Sequence, residues 1–150
     1  MEKTEKRKTG DIGEDIACEY LKKNGCRIIL RNFRQKFGEI DIVAKAKDKT
    51  LLFVEVKTMH GDMRFAGLTS EDQMSAAKIK KTKRICEGFA NAHPELINER
   101  MGWRIDLIAI TLSGGFVPLE TARDRSAPAS LMGLTNNEKN CDIRYYENVS

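Results

Sequence analysis

Apolar residues first recur at helical spacing. Ile12, Ile16, Ala17, Tyr20 and Leu21 share one face between Asp11 and Asn24, so this stretch predicts a helix. Thr9 or Asp11 suits its start and Gly25 its end, and residues 1–9 read as a polar, flexible N-terminus. The pattern then turns to strands: RIILRNFR (27–34), residues 39–46 and residues 50–58. Lys36-Phe37-Gly38 and Lys47-Asp48-Lys49 separate them, and turns this short imply an antiparallel meander. Residues 59–72 read as a loop. Ser70 with Gln73 matches a capping box for a second helix that runs to about Asn91, before Pro94. Ile79, Ile85, Cys86, Phe89 and Ala90 form its apolar face. WRIDLIAITL (103–112) reads as a fourth strand, placed by its helical crossover parallel to a strand already in the sheet. Residues 113–141 lack periodicity and read as a long loop or insertion with a short strand near 116–119. IRYYENV (143–149) reads as a closing edge strand. The fold class is therefore α/β, a mixed sheet flanked by helices in the order αβββαβ with an extra C-terminal strand.

A chain of 150 residues suits one domain with a core that needs no disulfide or structural metal. Cys18, Cys26, Cys86 and Cys141 form no CxxC pair, and with His60 and His93 they lack the spacing of a zinc site. Free thiols, no apolar run of membrane-spanning length and no secretory h-region place the protein in the cytoplasm, away from membranes. The net charge of +4 says little by itself; where the basic residues fall matters more.

Charged residues interrupt the apolar hairpin GEIDIVAKAKDKTLLFVEVKT (38–58). Strand alternation puts Glu39, Asp41, Val43 and Lys45 on one face, and Leu51, Phe53, Glu55 and Lys57 on one face. If Ala46 pairs with Thr50, Asp41 lies opposite Glu55 and Glu39 opposite Lys57. Facing carboxylates repel, and a purely structural sheet has reason to avoid them. A divalent cation relieves the repulsion, since magnesium takes anionic oxygens at about 2.0–2.1 Å. Lys57 then has a task beside a phosphate or an attacking water. The alternative is a solvated sheet face with ordinary ion pairs, Asp41 to Lys57 and Glu55 to Lys45. Glu14 falls at the border of the first helix's apolar face, suited either to the metal or to the helix N-terminus. Lys78 stands at the edge of the second helix's buried face, placed to snorkel or to point into the site. Lys80, Lys81, Lys83 and Arg84 lie mostly on the other side, as a phosphate-binding stripe or as a solvated face.

Glu14, Asp41 in GEID and Glu55-Val56-Lys57 together resemble the PD-(D/E)xK nuclease signature. GEDIACEYLKKNG, RNFRQKFGEIDIVAK, LLFVEVKT, the lysine-rich helix, RIDLIAI and the closing IRYYENVS resemble the YraN-like family, which is similar to Holliday-junction resolvases. The resemblance implies a restriction-endonuclease-like core and a magnesium-dependent phosphodiesterase, with manganese as a substitute metal. It places Glu14, Asp41, Glu55 and Lys57 in catalytic positions, with Lys78 supporting them. Glu39 and Asp106 belong to the same motifs without an assigned role. The loop at Met59, His60 and Phe65-Ala66-Gly67 departs from the family pattern. On this reading Asp41, Glu55, the Val56 carbonyl and Glu14 hold the metal. Arg34, Arg64, Lys80, Lys81, Lys83 and Arg84 contact DNA, branched DNA included. In-line attack leaves a 5′-phosphate, and a homodimer suits two symmetric cuts. The rival expectations are a non-catalytic nucleic-acid-binding module and an adaptor for repair or recombination proteins.

Overall fold

A computed structural model of the chain describes residues 5–60, 75–112 and 141–149. Two helices, α1 (Glu5–Lys23) and α2 (Ala76–Ala92), accompany five strands. These are β1 (Arg27–Gln35), β2 (Gly38–Lys45), β3 (Leu51–His60), β4 (Trp103–Leu112) and β5 (Cys141–Tyr146). They form one mixed sheet in the order β1-β2-β3-β4-β5. The first three strands are the expected antiparallel meander. After the α2 crossover, β4 pairs parallel to β3, from Leu51 against Trp103 to His60 against Leu112. Strand β5 closes the edge antiparallel to β4.

The β2–β3 turn sets the register on which the site depends. Ala46 N–H donates to Thr50 O at 2.9 Å, and Lys49 takes a left-handed φ of 75°. The Asp48 carboxylate accepts from Thr50 N–H at 2.9 Å and from its hydroxyl at 2.7 Å. This three-residue loop with a left-handed last position is a favoured hairpin connection. The predicted pairing follows, with Lys45 against Leu51 and Ile42 against Val54.

Helices cover both faces of the sheet. On the α1 face, Ile16, Ala17 and Leu21 pack on Ile42, Val54 and Ile108. On the α2 face, Ile85, Cys86 and Phe89 pack on Val43, Phe53 and Ile105. Phe89 meets Phe33 and Phe53 edge-on, with ring centroids 5.1 Å and 5.6 Å apart.

Several boundaries differ from expectation, each for a local reason. Helix α1 starts at Glu5, so Thr9 and Asp11 lie inside it and residues 5–9 are helical. Glu, Lys and Arg favour a helix even where they supply no apolar face. Gly25 does end α1: its φ is 82°, its N–H donates to Lys22 O, and Cys26 N–H donates to Leu21 O. That is the paired-bond helix end in which glycine avoids Cβ strain. Ser75, with extended backbone, caps α2 by accepting Lys78 N–H at 3.2 Å. The buried face of α2 includes Thr82, with Ile79 half-buried. Strand β5 starts at Cys141 and stops at Tyr146, because Asn148 turns left-handed (φ 51°) and sends its N–H to Asp106. The expected Ser70–Gln73 box, the short strand near 116–119 and Arg64 lie outside the described residues.

Candidate functional site

The pairing of β2 with β3 stops at Ile42 and Val54, one position short of the two acids. Beyond that point β3 stays paired with β4, and β2 parts from it. Asp41 stands at the fork. Its Oδ2 accepts Val56 N–H at 2.8 Å, taking the place of a ladder bond. Alternation breaks at the same point. Ile42 and Ala44 pack toward α1, whereas Ile40 packs with Val43 toward α2. Glu39, Asp41, Val43 and Lys45 therefore do not share one uninterrupted face. Glu39 does not reach Lys57 either: it sits opposite Arg34 on β1 and pairs with that guanidinium at 3.4 Å. On β1, Asn32 adopts a φ of 52°, a left-handed kink between the pairs Arg31–Ile42 and Phe33–Ile40 that flank Asp41.

Glu55 projects toward α2 and is buried. Its Oε1 receives two ammonium groups, Lys78 at 2.7 Å and Lys57 at 3.1 Å. Lys78 thus points into the site, and Lys57 pairs with Glu55 and not with Asp41 as the ordinary-ion-pair alternative had it. The two lysines respond oppositely. Burial, then the neighbouring Lys78, pulls the Lys57 pKa down despite Glu55. Burial also opposes charge on Lys78, but the Glu55 bond, the Lys57 side chain and the charges of Glu55 and Asp41 together outweigh it, and the net shift is upward.

Glu14 reaches the site from α1. Its Oε2 is buried without a hydrogen-bond partner among the described residues, and the Arg31 guanidinium stands 3.6 Å away, too far for a hydrogen bond. Burial raises the Glu14 pKa, partly offset by the Asn32 amide and by Arg31. The helix comes this close because its neighbour is glycine: a Cβ on Gly13 would lie 2.8 Å from Thr58 Cβ. Nothing in the apolar pattern pointed to Gly13, whose role depends on a contact distant in sequence.

These carboxylates feel one another. Burial, then Glu55, pushes the Asp41 pKa up to about 7, with Glu14 and Glu39 adding to the effect against the Val56 N–H bond. Among the described residues, no three His, Cys, Asp or Glu side chains stand close enough to share a metal ion. What converges is a pair of strand-borne acids, a buried oxygen of Glu14 without a donor, and two lysines. Of the predicted basic residues, Arg34 is exposed on β1, and Lys80, Lys81, Lys83 and Arg84 are exposed on α2.

Asp106, buried on β4 at 0% exposure, is a different case. It accepts Arg104 Nε at 3.0 Å, Asn148 N–H at 2.8 Å and the Tyr145 hydroxyl. Each of its partners lies on β4 or on the C-terminal segment, so it ties the chain end to the sheet.

The family described as "Uncharacterised protein family UPF0102" matches residues 13–110. The chain belongs to the UPF0102 family. That span contains Glu14, Asp41, Glu55, Lys57 and Lys78. A UPF0102 protein of Chloroflexus aurantiacus is 38% identical over 112 residues, 75% of this chain and 86% of the relative. One from Caldicellulosiruptor bescii is 39% identical over 108 residues, 72% and 86% of the two chains. One from Campylobacter lari is 61% identical over 57 residues, 38% and 50% of the two chains. No helix among the described residues of this UPF0102 protein is long and apolar enough to cross a membrane.

Proposed function

We propose that this protein is a magnesium-dependent endonuclease that hydrolyses phosphodiester bonds in DNA, branched DNA included. The observation that carries the reading is Asp41 at the fork of β2 and β3. A buried acid with a pKa near 7 beside a second buried acid is costly for a fold, and it suits a site that binds cations. The donors also fit magnesium, which needs one or two carboxylates plus water and substrate phosphate and no closed protein cage. Asp41, Glu55 and the Val56 carbonyl would hold it, with Glu14 Oε2 as a further acceptor directly or through water. When bound it supplies Lewis acidity and lowers the pKa of a coordinated water; manganese offers the same chemistry.

The chain's own residues do the rest. Lys57, half-buried and with its proton loosened, orients the attacking water and offsets charge as the phosphoryl group transfers. Lys78 holds the Glu55 carboxylate in place from α2. Arg34, Lys80, Lys81, Lys83 and Arg84 grip neighbouring phosphates, which positions the duplex without reading its sequence. Two copies of the chain would suit symmetric cuts in a four-way junction.

The test is cleavage of end-labelled linear, flapped and four-way DNA in magnesium. Wild type should cut, and Asp41→Ala and Lys57→Ala should each lose at least about 100-fold in rate, the scale of removing one electrostatic group from a transition state. If wild type cuts no DNA or RNA in magnesium or manganese, yet all three proteins bind DNA equally, a non-catalytic binding module replaces this reading.

A further inference from the structure

A large aromatic ring stands in solvent at the β1–β2 turn: Phe37 is 71% exposed. A single exposed apolar residue is ordinary; the surroundings of this one are not. Gln35 pairs with Gly38, so Lys36 and Phe37 form the entire hairpin tip. The tip is pinned to α2, where Ile85 Cδ1 lies 3.1 Å from the place a Cβ would take on Gly38. Two cations lie over the ring at the outer reach of a cation–π contact, Lys36 Nζ at 5.9 Å and the Arg84 guanidinium at 6.0 Å from its centroid. Arg34 follows on β1, and the nearby acid Glu39 is paired to it at 3.4 Å. An exposed aromatic ring with two mobile-ended cations within 6.0 Å of its centroid complements a flat ring attached to an anion: the base takes the ring and the cations move to its phosphates.

Two independent rulers tie this tip to the carboxylates. Gly38 precedes Asp41 by three strand residues, about 10 Å. Ile85 follows Lys78 by seven helical residues, also about 10 Å. Both elements run from the site to the tip, which leaves Phe37 about 13 Å from Asp41 along the strand. That is three to four steps of stacked duplex at about 3.4 Å per nucleotide. The geometry points to Phe37 as a stacking platform for an unpaired nucleobase, with Lys36, Arg84 and Arg34 on its flanking phosphates. In a continuous duplex the π-faces of bases are covered by their neighbours, so the platform selects strands with an unpaired segment. This assignment rests on the nuclease reading and names the substrate class of that site.

The experiment is fluorescence anisotropy with labelled DNA, either a perfect duplex or the same duplex carrying a central unpaired loop. Wild type, Phe37→Ala, Phe37→Leu and Phe37→Trp are compared in calcium, and the cleavage assay is run separately in magnesium. Stacking one base on an aromatic ring predicts a loss of about tenfold or more in affinity for the looped DNA on Phe37→Ala. The perfect duplex should lose less than about twofold, the rest of its affinity being phosphate contacts. Phe37→Trp should restore binding and Phe37→Leu should not. Equal binding by all four proteins, or full rescue by leucine, overturns the platform while cleavage by wild type leaves the nuclease standing. A wild type that binds neither DNA and cuts none overturns both. The ring is exposed, so the variants should keep the wild-type melting temperature, which circular dichroism checks.

Discussion

Two buried aspartates stand in this sheet, Asp106 on β4 and Asp41 on β2, and their surroundings are opposite. Asp106 receives a guanidinium, a hydroxyl and a backbone N–H. Among the described residues Asp41 receives one neutral donor, Val56 N–H, and faces the charges of Glu55, Glu14 and Glu39, with Lys78 as a nearby opposite charge. Both are nearly closed to solvent, at 0% and 8% exposure. Burial therefore does not distinguish the two acids. Compensation does. A buried charge whose oxygens all find donors serves the fold, and one left underpaired among like charges marks a place where a missing partner belongs.

The widest separation should come from deleting the satisfied acid. Asp106→Ala leaves the Arg104 guanidinium and the Tyr145 hydroxyl without their shared acceptor and removes the acceptor of the Asn148 N–H. Breaking a buried pair in this way costs about 3–5 kcal/mol. Urea unfolding should register that loss. DNA cleavage per folded molecule, measured well below the melting point, should stay within about threefold of wild type. A larger drop in turnover would mean that Asp106 belongs to the chemistry after all.

Asp41→Asn should do the reverse, removing cleavage while making the protein more stable. The Asp41 pKa is raised from 3.8 to about 7, so the folded chain holds a proton that the unfolded chain has released between those values. Stability attributable to this group is complete below about pH 4 and falls as pH rises to about 7. An amide keeps an acceptor for Val56 N–H and carries no charge. The variant should gain on the order of 2–4 kcal/mol over wild type at pH 7.5 in chelator, and nothing near pH 3.5. Magnesium should raise the melting temperature of wild type and leave the variant unmoved. Equal stability at pH 7.5 would mean that Asp41 is compensated, which erases its contrast with Asp106.

Much of this contrast could be read from the chain. The Lys47-Asp48-Lys49 turn brought Asp41 and Glu55 together by counting residues, since a hairpin loop of given length admits few registers. Lys78 was legible as an outlier on the edge of an apolar helical face. The parting of β2 from β3 was not legible. Pairing rules extend a ladder indefinitely, and only the side chain of Asp41, bonded to Val56 N–H, shows where it ends. The compensation of Asp106 was likewise hidden, because Tyr145 and Asn148 reach it from the far end of the sequence. The start of α1 was missed because apolar spacing is silent about polar residues with good helix propensity.

The smallest change that should disturb the underpaired side alone is one methyl group on Gly13. Helix α1 carries Glu14 to the sheet at the point where Gly13 rests on Thr58, and a Cβ there would lie 2.8 Å from Thr58 Cβ. Real carbon atoms do not approach so closely, so Gly13→Ala must lift this turn of α1 from β3. Overpacking of this kind costs about 1–3 kcal/mol, less than either aspartate variant should show. In a helix interior alanine is otherwise better than glycine by about 1 kcal/mol, so a net loss would report the contact and not the helix. Adding Thr58→Gly removes the opposing carbon and should recover most of the stability and of the cleavage rate. The Asp106 corner lies on β4 and the C-terminal segment, so Gly13→Ala should not add to its weakness: with Asp106→Ala the two losses should sum within about 0.5 kcal/mol. Coupling larger than that would join the two acids into one network and remove the distinction between them.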